Sequence, residues 1–345
     1  MTRCVGFAFH PSFLAHDTGP GHPERPERLR AIVTHLQAID VWPALHVIEP
    51  QPVDRAILEL VHPAAYISLI ERACGAPARP GGMGEIPSDP PQSFGGESRD
   101  RANLTSLDPD TVASPGSWEA ALRAVGAVTR AIDEVLAGSL DAAFCAVRPP
   151  GHHALADRAM GFCLFNNVAL GARYAQRRHQ LSRVLIVDWD VHHGNGTQAI
   201  FYDDPSVLYF STHQYPFYPG TGSRAETGHG AGKGWTLNVP LPSGAGDREL
   251  IDAFTTELLP RSREFKPELI LISAGFDAHR DDPLAGLAVT GSGYAELTRI
   301  VRTIADSCCE GRIVSVLEGG YDLRALGASV EAHLRVLIGD EVMKG

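Results

Sequence analysis

With 345 residues, 44% of them hydrophobic and 21% charged, the chain has ordinary globular composition: long enough for a sizeable core, too apolar for extensive disorder. Its formal net charge of −11, from 41 acidic and 30 basic residues, argues against nucleic acid as a ligand, since phosphate binding needs a basic surface, and suits a cationic substrate. No stretch of about 18 apolar residues argues for a membrane span, and Met1 to His10 holds too short an apolar run for a signal peptide. Six cysteines (Cys4, Cys74, Cys145, Cys163, Cys308, Cys309) make no Cys-x-x-Cys pair, so the expected setting is a reducing cytoplasm.

In chain order, Val5 to Phe9 reads as a short strand, followed by a His- and Gly-rich loop from His10 to Glu24. Leu29, Ile32, Val33 and Leu36 then fall at helical spacing behind Pro26. From Gly75 to Thr105 the chain carries Gly, Pro, Ser and charge with almost no periodicity, which predicts a long loop or insertion, while the length leaves open one domain or two. Trp118, Leu122, Val125, Val128, Ile132 and Val135 form the apolar stripe of a helix that Gly138 stops. Strands are expected at Ala142 to Val147, Val184 to Val187, Val207 to Thr212, Trp235 to Leu241, Leu269 to Gly275 and Ile313 to Leu317. Helices are expected at Asn167 to Arg178, around Glu249 to Phe265 and from Tyr294 to Cys309. Alternation of buried strand and helix predicts an α/β fold, a parallel sheet with helices on both faces.

The chemically rich residues lie just past the C-terminal ends of those strands: His152 and His153, then Asp188, Asp190 and His192, then Asp277, then Tyr321. That edge of an open parallel sheet is where ligands bind. Around Asp188-Trp-Asp-Val-His-His-Gly-Asn-Gly196, alternation of side chains puts Asp188, Asp190 and His192 together, and neighbouring carboxylates with an imidazole suit Zn²⁺, which takes O and N ligands at about 2.0–2.2 Å. Asp190, His192 and Asp277 make three protein ligands, leaving the metal open positions for hydrolytic chemistry. His152 and His153, turned by Pro149-Pro150, supply a general base and acid. Tyr321, behind the glycine pivot Gly319-Gly320, can swing its phenol to a developing oxyanion. Phe162 and Tyr218 can wall a narrow apolar channel.

Arg148-Pro-Pro-Gly-His-His153, Gly161-Phe-Cys-Leu-Phe-Asn-Asn167, Asp188-Trp-Asp-Val-His-His-Gly-Asn-Gly-Thr197, Tyr218-Pro-Gly-Thr-Gly222, Gly275-Phe-Asp-Ala-His279 and Glu318-Gly-Gly-Tyr321 together resemble the histone deacetylase superfamily, which includes acetylpolyamine amidohydrolases. The resemblance runs from His22-Pro-Glu-Arg-Pro26 to Tyr321. It implies the arginase-deacetylase fold, one domain over residues 1–345 with a loop insertion at about 75–105, built on a single eight-stranded parallel sheet with helices on both faces. By position it implies Asp190, His192 and Asp277 as zinc ligands, His153 as general base and acid, His152 as its electrostatic partner, and Tyr321 as oxyanion donor. Asp188 then holds His152 in its tautomer and Asn195 backs His153. An Asn there, in place of Asp, looks like the class II branch and predicts a weaker base. Asp110, Gly161, Phe162, Tyr218 and Leu284 correspond to substrate-contacting positions, with Tyr218 where the family usually has Phe. A structural potassium near Asp188, Asp190, His192, Ser211 and Thr212 is also implied.

The expected function is a zinc-dependent amidohydrolase that releases acetate or another acyl group from acyl-lysine, an acetylpolyamine or a related acylated primary amine. Apolar Leu284 leans toward acetyl-lysine-like substrates, since an acid there would select a distal ammonium. The insertion could form a rim or a contact between copies in a homo-oligomer. Two other readings are a non-catalytic acyl-amine binding module on the same fold, which loss of Tyr321 or a histidine would favour, and a binuclear manganese hydrolase, which needs a further carboxylate set.

Overall fold

The computed structural model describes residues 3–75 and 103–340. The insertion expected at about residues 75–105 therefore lies, except at its two edges, outside the described residues. The strands in chain order are β1 (Val5–Ala8), β2 (Leu45–Ile48), β3 (Thr105–Ser106), β4 (Val112–Ala113), β5 (Ala142–Cys145), β6 (Val184–Asp188), β7 (Val207–Gln214), β8 (Thr236–Leu241), β9 (Leu269–Ala274) and β10 (Ile313–Leu317). The helices are α1 (Glu27–Gln37), α2 (Arg55–Leu58), α3 (Ala64–Ala73), α4 (Ser117–Leu136), α5 (Asn167–His179), α6 (Asn195–Phe201), α7 (Asp247–Ala253), α8 (Leu259–Phe265), α9 (Gly291–Cys308) and α10 (Leu323–Ile338).

Eight strands form one sheet in the order β2-β1-β5-β10-β9-β6-β7-β8, every pair parallel, while β3 and β4 make a separate two-residue antiparallel pair. The central strands β5, β10, β9 and β6 are buried at every residue, which explains their unbroken apolar runs: a strand covered on both faces has no polar side to alternate with. On one face α4 packs against α5; on the other α1, α10 and α9 pack in a continuous layer, and His333 of α10 reaches Ser315 of β10 at 2.9 Å. Strand order matters for chemistry. It sets β5, β10, β9 and β6 side by side, so the loops after four sequence-distant strands open onto one rim.

Local signals account for the helix ends. Asn166 accepts from Ala169 N at the start of α5, Thr290 from Gly293 N at α9, and Asp322 from Arg324 N and Ala325 N at α10, which closes at Gly339 with φ +85°. The helix expected around residues 249–265 is divided: a π-helical segment, Phe254–Leu258, joins α7 to α8. Pro260 in the first turn of α8 has no N–H to give the preceding turn, which is why regular α-helical bonding breaks there. Edge strand β2 has no counterpart among the expected elements, because its two central residues are exposed and its pattern is that of a loop. Among the described residues no helix is long and apolar enough to cross a membrane.

Candidate active site

Strand β6 ends at Asp188, and the turn that follows carries Asp190 and His192. Asp277 arrives from the loop after β9. One donor atom from each of Asp190, His192 and Asp277 lies within 4.8 Å of the others. His192 Nδ1 is 3.1 Å from Asp190 Oδ1 and 3.3 Å from Asp277 Oδ2. The carboxylates are held from behind: Gly319 N donates to Asp190 Oδ2 at 2.8 Å and Val191 N to Asp277 Oδ1 at 2.9 Å. Buried Asp277 Oδ2 accepts no hydrogen bond, which leaves a carboxylate oxygen free to serve as a donor to a cation. A β-carbon at Gly275 would overlap the Asp190 carboxylate, and one at Gly319 that of Asp277, so glycines keep the floor of the cluster clear. Burial pulls the His192 pKa down, but the facing carboxylates of Asp190 and Asp277 outweigh it and raise it to about 10. Two carboxylates around one imidazole call for positive charge, and N/O donors in this number fit a divalent zinc ion with open positions.

The histidine pair follows β5. His152 Nδ1 lies 3.1 Å from Asp188 Oδ2, and its Nε2 lies 3.8 Å from Asp190 Oδ1. His153 Nδ1 lies 2.7 Å from Asn195 Oδ1, and the two imidazole centroids are 4.0 Å apart. Burial lowers the His152 pKa, yet Asp190 and Asp188 more than reverse this and raise it to about 10. His153 is held well below the ordinary histidine value, first by burial and then by the adjacent His152 and His192. The hydrogen bond to Asn195 works the other way and raises it.

Tyr321 is held at its backbone and contacted at its ring. Its backbone N–H donates to Asp282 Oδ2 at 2.7 Å, and the Arg28 guanidinium sits 4.9 Å from its ring centroid. Arg28, wholly buried, also donates to the carbonyls of Glu318 and Gly320. Gly320 does have the left-handed φ, +123°, whereas Gly319 is needed for clearance from Asp277.

A cavity of about 200 Å³ joins these groups, lined by His152, His153, His192 and Tyr321 together with Asp110, Gly161, Phe162, Tyr218 and Leu284. All five expected substrate-contacting positions therefore reach one cavity. Phe162 and Tyr321 rings are 6.0 Å apart, and Tyr218 is edge-on to His153 at 5.1 Å. Asp188 and Asn195 stand behind the histidines, as expected. Ser211 pairs with Asp188 across β6 and β7, and the buried Thr212 hydroxyl next to it has no hydrogen-bond partner, so one of the five positions named for potassium carries a free oxygen donor.

Sequence reasoning left several contributors without a role. Tyr209 on β7 donates its phenol to Asp188 Oδ2 at 3.0 Å, and Glu318 Oε2 accepts from Gly151 N at 2.6 Å and His152 N at 3.1 Å, tying the histidine turn to β10. A tyrosine in the apolar first half of β7 and an acid right after a strand were the available signals. Pro150 and Phe217 also line the cavity, and His22 packs its ring 4.7 Å from Phe162.

Residues 22–337 match the histone deacetylase domain family. This chain belongs to the histone deacetylase family. It is 40% identical over 330 residues to histone deacetylase 10, chloroplastic, of Oryza sativa subsp. japonica, covering 92% of this chain and 70% of that protein. A probable deacetylase of Archaeoglobus fulgidus is 38% identical over 321 residues, covering 92% of this chain and 82% of its own. A crystal structure of the HDA15 HD domain superposes with a TM-score of 0.87 at 37% identity, covering 99% of this chain and 91% of that one. The eight-stranded parallel sheet of this histone deacetylase family member is accordingly the arginase-deacetylase fold.

Proposed function

We propose that this chain is a zinc-dependent amidohydrolase that removes an acetyl or other acyl group from an acylated primary amine, acyl-lysine or acetylpolyamine. The observation that carries the reading is one cavity lined by His152, His153, His192 and Tyr321, where His192 belongs to the Asp190–His192–Asp277 donor set. Asp190, His192 and Asp277 would hold the zinc. When bound there, the ion supplies Lewis acidity toward the amide carbonyl and the attacking water.

The residues of the chain do the rest. His153, kept neutral by burial and by His152, takes the proton from water and returns it to the leaving amine. Asp188 orients His152, and Asn195 orients His153 through Nδ1, which leaves Nε2 of each for chemistry. The Tyr321 hydroxyl donates to the carbonyl oxygen as it gains charge. Phe162 and Tyr218 flank the alkyl stem of the amine, and Leu284 gives the mouth an apolar side that favours acyl-lysine-like substrates. Asp188, Asp190, His192, Ser211 and Thr212 would hold a structural potassium, for which the unpartnered Thr212 hydroxyl is the support. Six unpaired cysteines suit a reducing compartment such as the cytoplasm.

The test is a turnover panel of acetyl-lysine peptides, acetylputrescine, acetylspermidine and longer acyl-lysines, run on protein whose zinc content is measured by elemental analysis. We expect one zinc per chain and release of acetate from at least one class. Zinc-loaded protein that binds these amides and hydrolyses none would replace the reading with a binding module.

A further inference from the structure

Phe162, one wall of the cavity, has φ +69°, in the left-handed region that a residue with a β-carbon enters only under constraint. The preceding Gly161 is also left-handed, φ +57°, and a β-carbon there would collide with the His153 ring. The chain thus grazes the general base and must turn sharply at once to bring the Phe162 ring to the wall. Something has to hold that turn. The Phe162 N–H donates at 3.0 Å to the hydroxyl of Thr111, a wholly buried residue far away in sequence.

The same hydroxyl donates to Asp110 Oδ1 at 3.2 Å, so one oxygen links the aromatic wall to the acid at the cavity mouth. Thr111 is itself fixed. Asp108 Oδ1 accepts from Thr111 N at 2.7 Å and from Asp110 N at 2.9 Å, and the Thr111 carbonyl accepts from Leu107 N at 2.8 Å. The Phe162 ring then meets two others: His22 at 4.7 Å on one side and Tyr321 at 6.0 Å on the other. His22 in turn lies 3.1 Å, through Nε2, from the Asp110 carbonyl. Wall and mouth acid share their supports, and Thr111 is where the supports meet.

We propose that Thr111 is a positioning residue for the substrate amine: its hydroxyl pins Phe162 in its strained conformation and couples that wall to Asp110, thereby setting how tightly the cavity grips the alkyl stem. The proposal rests on the hydrolase reading for its kinetic consequence and on geometry alone for the pinning. A residue acting through the wall should affect the grip on substrate, not the bond-breaking step, because His152, His153 and the metal-binding set do not touch it.

Thr111→Val keeps shape and burial and removes both hydrogen bonds. We expect KM for the best acyl-amine to rise about fivefold to tenfold, the worth of one hydrogen bond, with kcat within about twofold. Amide hydrogen exchange at Phe162, followed by NMR, should accelerate in parallel, and Thr111→Ser should restore both. If the valine chain does not fold, Thr111→Ala makes the same comparison with serine. A lowered Tm with unchanged KM and unchanged Phe162 exchange would overturn the proposal, as would a serine variant that behaves like valine. Wild-type protein that hydrolyses no acyl-amine would remove the hydrolase reading instead; slow Phe162 exchange lost in Thr111→Val would then still uphold the pinning, and exchange unaltered by the substitution would overturn it.

Discussion

At Tyr321 the phenol oxygen can be removed without disturbing the ring, which stays packed between Phe162 and the Arg28 guanidinium. Tyr321→Phe is therefore expected to lower kcat by roughly 10²–10³, the worth of one preorganised oxyanion donor, with zinc content and Tm unchanged. Steady-state kinetics beside elemental analysis reads this; near-normal kcat in zinc-replete protein would make Tyr321 a packing residue only. Asp190→Ala is expected to do the reverse, losing the metal itself, because Asp190 is both a donor in the cluster and the acceptor for Gly319 N and His192 N. Zinc should fall from one per chain to near zero, and retention of a full equivalent would show that the cluster is not the metal site. These roles could be read from the residues because each depends on chemistry that only a few side chains supply. Thr111 and Glu318 could not, since a threonine in a turn and an acid after a strand fit many situations until their partners are known.

Among the elements, α5 carries the strongest coupling between fold and site. Its cap Asn166 accepts from Ala169 N, donates through Nδ2 to the Ala154 carbonyl at 3.1 Å, and gives its own N–H to His62 Nε2 at 3.0 Å. The helix start is thereby tied to the turn just beyond His153. Asn166→Ala should cost roughly 1–3 kcal/mol, the cap plus a buried carbonyl left unpaired, measured by urea unfolding. A change within a few tenths would mean that water replaces the amide. Periodicity located α4, α5, α9 and the buried strands because each turns a continuous apolar stripe or run to the core. It was blind to β2, whose exposed centre looks like loop, and to the π-helical segment inside residues 249–265, which depends on hydrogen bonding around Pro260.

For the whole molecule, buried neutral histidines make stability depend on pH. Burial lowers His62 to about 4 and His333 to about 3. Protonated His62 would need an acceptor at Nε2, where the Asn166 N–H points instead. With the folded pKa below the unfolded value of about 6.5, the unfolded chain takes up the proton first as pH falls. The contribution is therefore complete above about pH 6.5 and is lost as pH drops toward 4, on the order of 3 kcal/mol for His62. Urea unfolding at pH 7 and pH 5 should show lower stability at pH 5, with a shallower slope in His62→Gln. Equal slopes in the two proteins would assign the acid sensitivity elsewhere, and because the variant keeps the metal-binding set, loss of zinc cannot produce the difference.

By itself the amino-acid order determined the fold class, the rim on which function sits and the donor types of the metal-binding cluster. Buried parallel strands need unbroken apolar runs, and such sheets bind at their carboxyl ends, so both are written locally. Only the tertiary structure decided the strand order that brings β5, β10, β9 and β6 together, the contacts of Arg28 and Asp282 with Tyr321, and the link from Thr111 to Phe162. Each of these joins groups tens to hundreds of residues apart. Their energies depend on distances of about 3 Å that the chain acquires only when its layers close, and no local pattern encodes them.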